Sequence, residues 1–460
     1  MHATAKRRVQ QKQIQQTSRS CDAFQFFNLL TSDALLDEVE SAAPEFRERV
    51  YPPAETLSIF LAQCMSPDGS CQNAVNEMAI ARMAGGLPAA STRTGAYCKA
   101  RKRLPLDMAA SLCRKTSSLV AAQLPEEWLW RGHRVRIVDG TTLSMPDTKA
   151  NQSQWPQQSG QADGLGFPVM RAVGVTCWAT GMLIDAAMGA YKGKGGSEHS
   201  LLRSIEGSLE EGDLLMADAL YSSYFFLASM QHRGVDILVE QNAARKTLSD
   251  FRKGKKLGKK DHIISIRRPA QRPDWMGIEQ FEALPECITL REFKSGDKIL
   301  ITSLCDAQQY SKDALKKLYK TRWRVELTLR DIKQTLGMDV LRCKTPDMIV
   351  KEFWAYLLAY NLIRLLMAQA AVCERRDPAS LSFKHCLQLW LTCQLQSLSL
   401  SPDNMTQLMV LMCQKTVGNR AGRMEPRAIK RRPKPIGFLM VTRKKARSII
   451  AKKGHQRRIK

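Results

Sequence analysis

Four residues in LYKTRWRVELTLRDIKQTLG (318 to 337) could act together on a phosphate: Tyr319, Arg322, Glu326 and Lys333. On a helix turning about 100° per residue they fall at roughly 0°, −60°, −20° and −40°, inside one narrow stripe. Leu318, Val325, Leu329, Ile332 and Leu336 fall beside it and form a core face. The stripe therefore sets one aromatic, two cations and one carboxylate along the border of that face. For an isolated helix a solvated charged flank is the simpler reading, since Glu326 can pair with Arg322 or Arg330 one turn away.

Two further acids change the balance. HRVRIVDG and DLLMADAL read as apolar strands ending in Asp139 and Asp218, and in an open α/β sheet ligand sites gather at such strand ends. If the strands are neighbours, the carboxylates meet, and the helix delivers Glu326 as a third. Acids so close repel unless cations neutralise them, and carboxylate oxygens suit Mg²⁺ or Mn²⁺. Two such ions about 3.5 to 4 Å apart could activate a water or a 3′-hydroxyl for in-line phosphoryl displacement. Either aspartate alone is more often a turn former.

The charge of the chain points the same way. Lys and Arg total 70 against 44 Asp and Glu, a net +26 over 460 residues, far beyond what solubility needs. Residues 1 to 20 hold five cations and no acid, and residues 427 to 460 hold fourteen and no acid. A third basic block, RKTLSDFRKGKKLGKKDHIISIRRPAQR, lies mid-chain. Three such blocks favour a nucleic-acid partner over a merely solvated surface. Arg93, Tyr97 and Arg101, at i, i+4 and i+8, would add a cationic helix face suited to a phosphate backbone.

Other classes are disfavoured. The 13 cysteines are scattered, with no CxxC pair and no Cys/His cluster at zinc spacing, which fits reduced thiols in a cytoplasmic protein. No apolar h-region opens the chain, so no signal peptide is expected. FWAYLLAYNLIRLLMAQAAV (353 to 372) could span a bilayer by length, but Asn361, Arg364 and Gln369 mark it as a buried helix, and no membrane association is expected.

Periodicity divides the chain. Residues 1 to 125 read as an N-terminal helical, DNA-binding region, with a break at AGGLPAAST. From 126 to 241 the order is β-β-β-α-β-α-β, with VMRAVGVTCWA and MLIDAAMGAY as a hairpin and Ser197 opening a helix. Residues 242 to 310 form a β-rich basic insertion. Residues 311 to 375 return to the α/β series, and 376 to 460 form a helical region with the polybasic tail. The fold class is α/β.

With these residues in place, the sequence resembles a DDE transposase of bacterial insertion sequences, specifically insertion sequence family four. The family signature runs Tyr, two residues, Arg, three residues, Glu, six residues, Lys, and Tyr319, Arg322, Glu326 and Lys333 meet every spacing. Asp139 in IVDGTT and Asp218 in LLMADALYSS stand where the family places its aspartates. STRTGAYCKARKRLP, LLAYNLIR and EPRAIKRRPKP extend the likeness over most of the chain. The resemblance implies a ribonuclease H-like core interrupted by the insertion, a catalytic triad of Asp139, Asp218 and Glu326 holding two Mg²⁺ or Mn²⁺ ions, and a homodimer on double-stranded DNA. The implied activity is cut-and-paste transposition: binding the terminal inverted repeats, cleaving through a hairpin intermediate and joining the ends to target DNA. Tyr319, Arg322 and Lys333 would position the DNA backbone. The departure is Lys298, which stands where the family carries a base-holding tryptophan. Either Trp275 in RRPAQRPDWM takes that role, or the ends are resolved with little base flipping. Two rivals are a non-catalytic DNA-binding regulator on the same fold and a nuclease that cuts without joining.

Overall fold

The computed structural model describes residues 51–84, 90–160, 162, 164–193, 195–242, 249–395, 402–417 and 441–453. The basic N-terminal stretch, EPRAIKRRPKP and most of the polybasic tail lie outside the described residues. Four helices come first: α1 (Pro53–Met65), α2 (Cys71–Ala84), α3 (Gly95–Arg103) and α4 (Met108–Ala121). The change of period near residue 131 then becomes a sheet. Strands β1 (Arg134–Ser144), β2 (Val169–Cys177) and β3 (Leu183–Ala190) form an antiparallel meander, with α5 (Lys149–Gln154) between the first two. Gly181 makes the β2–β3 turn at φ 70°, a backbone conformation glycine adopts without strain.

Helix α6 (Glu198–Ile205), capped by Ser197 as expected, leads to β4 (Asp213–Ala217), and α7 (Tyr224–His232) leads to β5 (Asp236–Glu240). Both strands run parallel to β1. The basic stretch supplies β6 (Lys255–Gly258), β7 (Asp261–Arg267), a short α8 (Ile278–Ala283), β8 (Cys287–Ser295) and β9 (Lys298–Thr302). Its strands do not make a sheet of their own. β9 pairs with β5, so a single nine-stranded mixed sheet runs in the order β3-β2-β1-β4-β5-β9-β8-β7-β6.

Alternate residues of each strand face opposite sides. Ile137 and Met216 join one apolar cluster with Leu315 and Leu318 of α9 (Lys312–Lys320) and Val325 of α10 (Arg324–Arg330). Val138 and Leu215 join another with Leu202 of α6 and Leu227 of α7. A third, larger cluster surrounds α11 (Pro346–Cys373), with α12 (Phe383–Leu395) and α13 (Pro402–Cys413) packed on it; α14 (Arg443–Lys453) follows. The length that would let α11 cross a membrane serves the core instead, with 83% of its most apolar window buried. Its polar residues complete the packing. Asn361 exchanges two 2.8 Å hydrogen bonds with the Leu183 backbone at the sheet edge, and Arg364 Nε donates to Tyr360 Oη at 2.7 Å.

Two sequence expectations need correction here. The segment from 318 to 337 is not one regular helix: α9 ends at Lys320, a 3₁₀ turn spans Thr321–Trp323, α10 follows, and Asp331–Thr335 widens into a π-turn. Asp331 points inward, 3.5 Å from buried Arg364, which accompanies the local widening. Arg93, Tyr97 and Arg101 do not form a DNA-facing stripe. Arg93 precedes α3, while Tyr97 is fully buried and Arg101 is 7% exposed. The Tyr97 hydroxyl donates to Gln63 Oε1 at 2.8 Å, and the Arg101 guanidinium lies over the Phe60 and Tyr97 rings. Aromatic faces and the Gln63 carbonyl oxygen replace water around the cation.

Candidate active site

The strand pairing explains how the two aspartates meet. The parallel β1–β4 ladder ends at Ile137 opposite Met216. Asp139 and Asp218 each stand two residues further on, so both leave the ladder toward the face that carries α9 and α10. The expectation that both aspartates end their strands holds for β4. β1 continues past Asp139 to Ser144, paired with β2 alone.

The helical residues close the site from above. Arg322 bridges the acids: its Nη1 lies 3.6 Å from Asp139 Oδ2 and its Nη2 lies 3.3 Å from Glu326 Oε1. Glu326 is the exposed member, with 61% of its side chain accessible. Burial, opposed by the Gly140 amide and Arg322, raises the Asp139 carboxyl above the ordinary range, and the charges of Asp218 and Glu326 add to the rise. Asp218 and Glu326 therefore both act on Asp139 electrostatically. Among the described residues, no three His, Cys, Asp or Glu side chains already stand at metal-binding spacing.

Two members of the helical motif grip the sheet rather than facing solvent. Tyr319 is 8% exposed, and its hydroxyl donates to the Ala217 carbonyl at 3.1 Å, fixing the backbone just before Asp218. Lys333 donates to Thr141 Oγ1 at 3.1 Å and to the Thr142 carbonyl at 2.9 Å, holding β1 just beyond Asp139. The π-turn that precedes Leu336 sets the register in which Lys333 makes these bonds.

Trp275 and Lys298 lie in the insertion and are engaged there. The Arg203 guanidinium sits 3.9 Å from the Trp275 ring, and Phe225 meets that ring edge-on, so the indole clasps the insertion onto α6 and α7. Lys298 Nζ pairs with Glu240 Oε2 at 2.5 Å. Trp275 is nevertheless 46% accessible, and a second exposed indole, Trp323 at 48%, which the sequence reading passed over, is next to Arg322 in the chain. Also passed over was Glu198, whose carboxylate lies against Gly140. An acid in the first turn of a helix is ordinarily read as a partner of the helix dipole, so its type carried no further signal.

At this acid-lined end of a mixed α/β sheet, crossed by the segment that bears Tyr319, Arg322, Glu326 and Lys333, the family described as the transposase DDE domain matches residues 130–362. The chain belongs to that family. Among its relatives, the chain is similar to the transposase InsG for insertion sequence element IS4 of Escherichia coli K12, 28% identical over 350 residues, which cover 74% of this chain and 76% of the relative. The transposase for insertion sequence element IS421 of Escherichia coli is 36% identical over 69 residues, 15% of this chain and 18% of the relative. A piggyBac transposase in a synaptic complex with hairpin DNA superposes with a TM-score of 0.42 at 9% identity, over 89% of this chain and 88% of that one, a likeness too loose to bear on the site.

Proposed function

We propose that this transposase binds the inverted repeats ending its own element, cleaves there with two divalent ions, and joins the freed 3′-hydroxyls to target DNA. The observation that carries the reading is the convergence of Asp139 and Asp218, each two residues past one ladder, beneath an arginine that also touches Glu326. The strand order β3-β2-β1-β4-β5, with β2 antiparallel to β1, supports a ribonuclease H-like core over 126–241 and 311–375, with 242–310 inserted.

The donor set fits a hard divalent cation, because carboxylate oxygens concentrate where Asp139 is held above its ordinary range by burial and by like charges. Asp139, Asp218 and Glu326 would hold the ions, with exposed Glu326 drawn inward from the rim. Bound there, two Mg²⁺ or Mn²⁺ ions would supply nucleophile activation and stabilisation of the leaving oxygen. Arg322, freed from the carboxylates it now bridges, would turn to the DNA phosphate. Tyr319 and Lys333 would act by holding β4 and β1, rather than by touching DNA. The stacking platform would be Trp323, next to Arg322 in the chain, rather than Trp275, which is as exposed but is engaged by Arg203 and Phe225.

Synapsing two ends requires a dimer on DNA, and the basic insertion and terminal segments would supply backbone affinity. The test is incubation of a plasmid carrying both element ends with Mg²⁺, Mn²⁺ or chelator. End cleavage and joined products with metal alone support the reading. Binding without cutting would favour a regulator, and cutting without joining a nuclease.

A further inference from the structure

The three acids have a neighbour on the opposite face of the sheet. Glu198, the first residue of α6, lies so close to β1 that a Cβ at Gly140 would stand 2.5 Å from its Cδ and 2.7 Å from its Oε2. Gly140 is thus the gap through which a carboxylate from the α6 side reaches the backbone next to Asp139. Any side chain at 140 would meet it. The partner of Glu198 is loose: Arg171 Nε stands 3.8 Å from Oε1, beyond hydrogen-bonding distance, and is itself without an acceptor. Arg171 is otherwise anchored to the Gly196 carbonyl and over the Tyr191 ring.

A second observation is independent of the acids. Tyr221, three residues after Asp218, is 1% exposed, and its hydroxyl has no hydrogen-bond partner. A buried donor left unpaired is costly, so its retention calls for something to bond. Beside burial, the charges that act on this hydroxyl are those of Glu198, Asp218 and Asp139, opposed by Arg171. It therefore lies within electrostatic reach of these carboxylates.

We propose that Glu198 is a fourth carboxylate of the active site, holding a divalent cation together with Asp139 and Asp218, and that the Tyr221 hydroxyl orients the ligands around that ion. The inference rests on the metal-dependent reading above. Glu198 approaches through the Gly140 gap, while Glu326 comes from the rim on the other face. The centre is then built from both faces of the sheet, and the carboxylates have to close on the ion. On the α6 side Glu198 is restrained by one loose ion pair.

Calorimetric titration of Mn²⁺ into the full chain, alone and with a random-sequence duplex, separates the possibilities when combined with the melting temperature of the metal-free protein. Asp139→Asn is expected to abolish binding, Glu198→Gln to weaken it about tenfold or more without lowering the metal-free Tm, and Tyr221→Phe to weaken it severalfold. Wild-type affinity in Glu198→Gln, with binding lost in Asp139→Asn, would overturn the fourth ligand and leave the metal reading standing. Wild-type affinity in Asp139→Asn would overturn both. Should Glu198→Gln lower the metal-free Tm, Glu198→Asp keeps the charge and shortens the reach: weakened binding at unchanged Tm supports the proposal, and wild-type affinity overturns it.

Discussion

Tyr97 and Arg101 of α3 form one tyrosine–arginine pair, Tyr319 and Arg322 between α9 and α10 form another, and the fold uses the two in different ways. In α3, Tyr97 and Arg101 are both drawn under the surface, where Gln63, Phe60 and the tyrosine ring itself surround the guanidinium. Near α10, Tyr319 is buried in the same manner, but Arg322 keeps 19% of its side chain accessible and faces Asp139 and Glu326. The tyrosines do similar work, each spending its hydroxyl on a buried acceptor. What separates the arginines is their surroundings. An amide and two rings enclose Arg101 among neutral groups, whereas two carboxylates, one exposed, make a site whose charges can be redistributed by a phosphate or a cation.

The comparison can be sharpened from the catalytic side first. Asp139→Asn, Asp218→Asn and Glu326→Gln are each expected to slow end cleavage by roughly 10⁴-fold or more, the scale of losing one member of a unit that acts together. End binding, read by gel shift, should stay nearly intact, and wild-type cutting in any of the three would remove that residue from the site. Arg322→Ala should slow cleavage by about 10²-fold, corresponding to roughly 2.7 kcal/mol, with the melting temperature unchanged. If Arg322→Ala instead melts the protein and spares cutting among folded molecules, the two arginines are alike and the contrast fails.

The next effects are smaller. Removing residues 427 to 460 should weaken binding to element ends and to random DNA alike, lowering the slope of log affinity against log salt by about 0.9 for each DNA phosphate that the tail no longer neutralises. Selective loss of end recognition would mark the tail as a reader of bases. On the α3 side, Tyr97→Phe deletes one buried hydrogen bond to Gln63 and should cost about 1–2 kcal/mol, a fall of a few degrees in Tm, without changing the salt dependence of DNA binding. A changed salt slope would return Tyr97 to a DNA-facing role.

The smallest effect concerns the metal-free site. Burial raises the Asp139 carboxyl, so just above the ordinary carboxylate range the folded chain holds a proton that the unfolded chain has released. Stability of the metal-free protein therefore falls as pH rises through that window. Asp139→Asn should flatten this fall and raise the metal-free Tm near neutral pH, as expected where function is maintained against stability. Thermal melts across the range from about pH 4 to pH 8 check the sign.

The sequence by itself determined what is local. The spacing of Tyr319, Arg322, Glu326 and Lys333, the β2–β3 hairpin, the Ser197 cap and the apolar strands leading to Asp139 and Asp218 all rest on nearest-neighbour geometry, which residue types carry directly. The motif read as a surface ladder on a regular helix, yet two of its four members turn inward. That outcome depends on Ala217, Thr141 and Thr142, residues more than a hundred positions away, and on a 3₁₀ turn and a π-turn that periodicity does not register. The same limit hid the fate of Arg101, set by Gln63 and Phe60 on another helix, and the clasp of Trp275 on Arg203. Glu198 was the least legible. Its importance rests on a missing side chain at Gly140 and an unpaired hydroxyl at Tyr221. Only the tertiary structure places an empty space on one strand opposite a carboxylate from another element, because pattern and propensity report on a residue and its chain neighbours, while the room around a backbone is decided by everything packed against it.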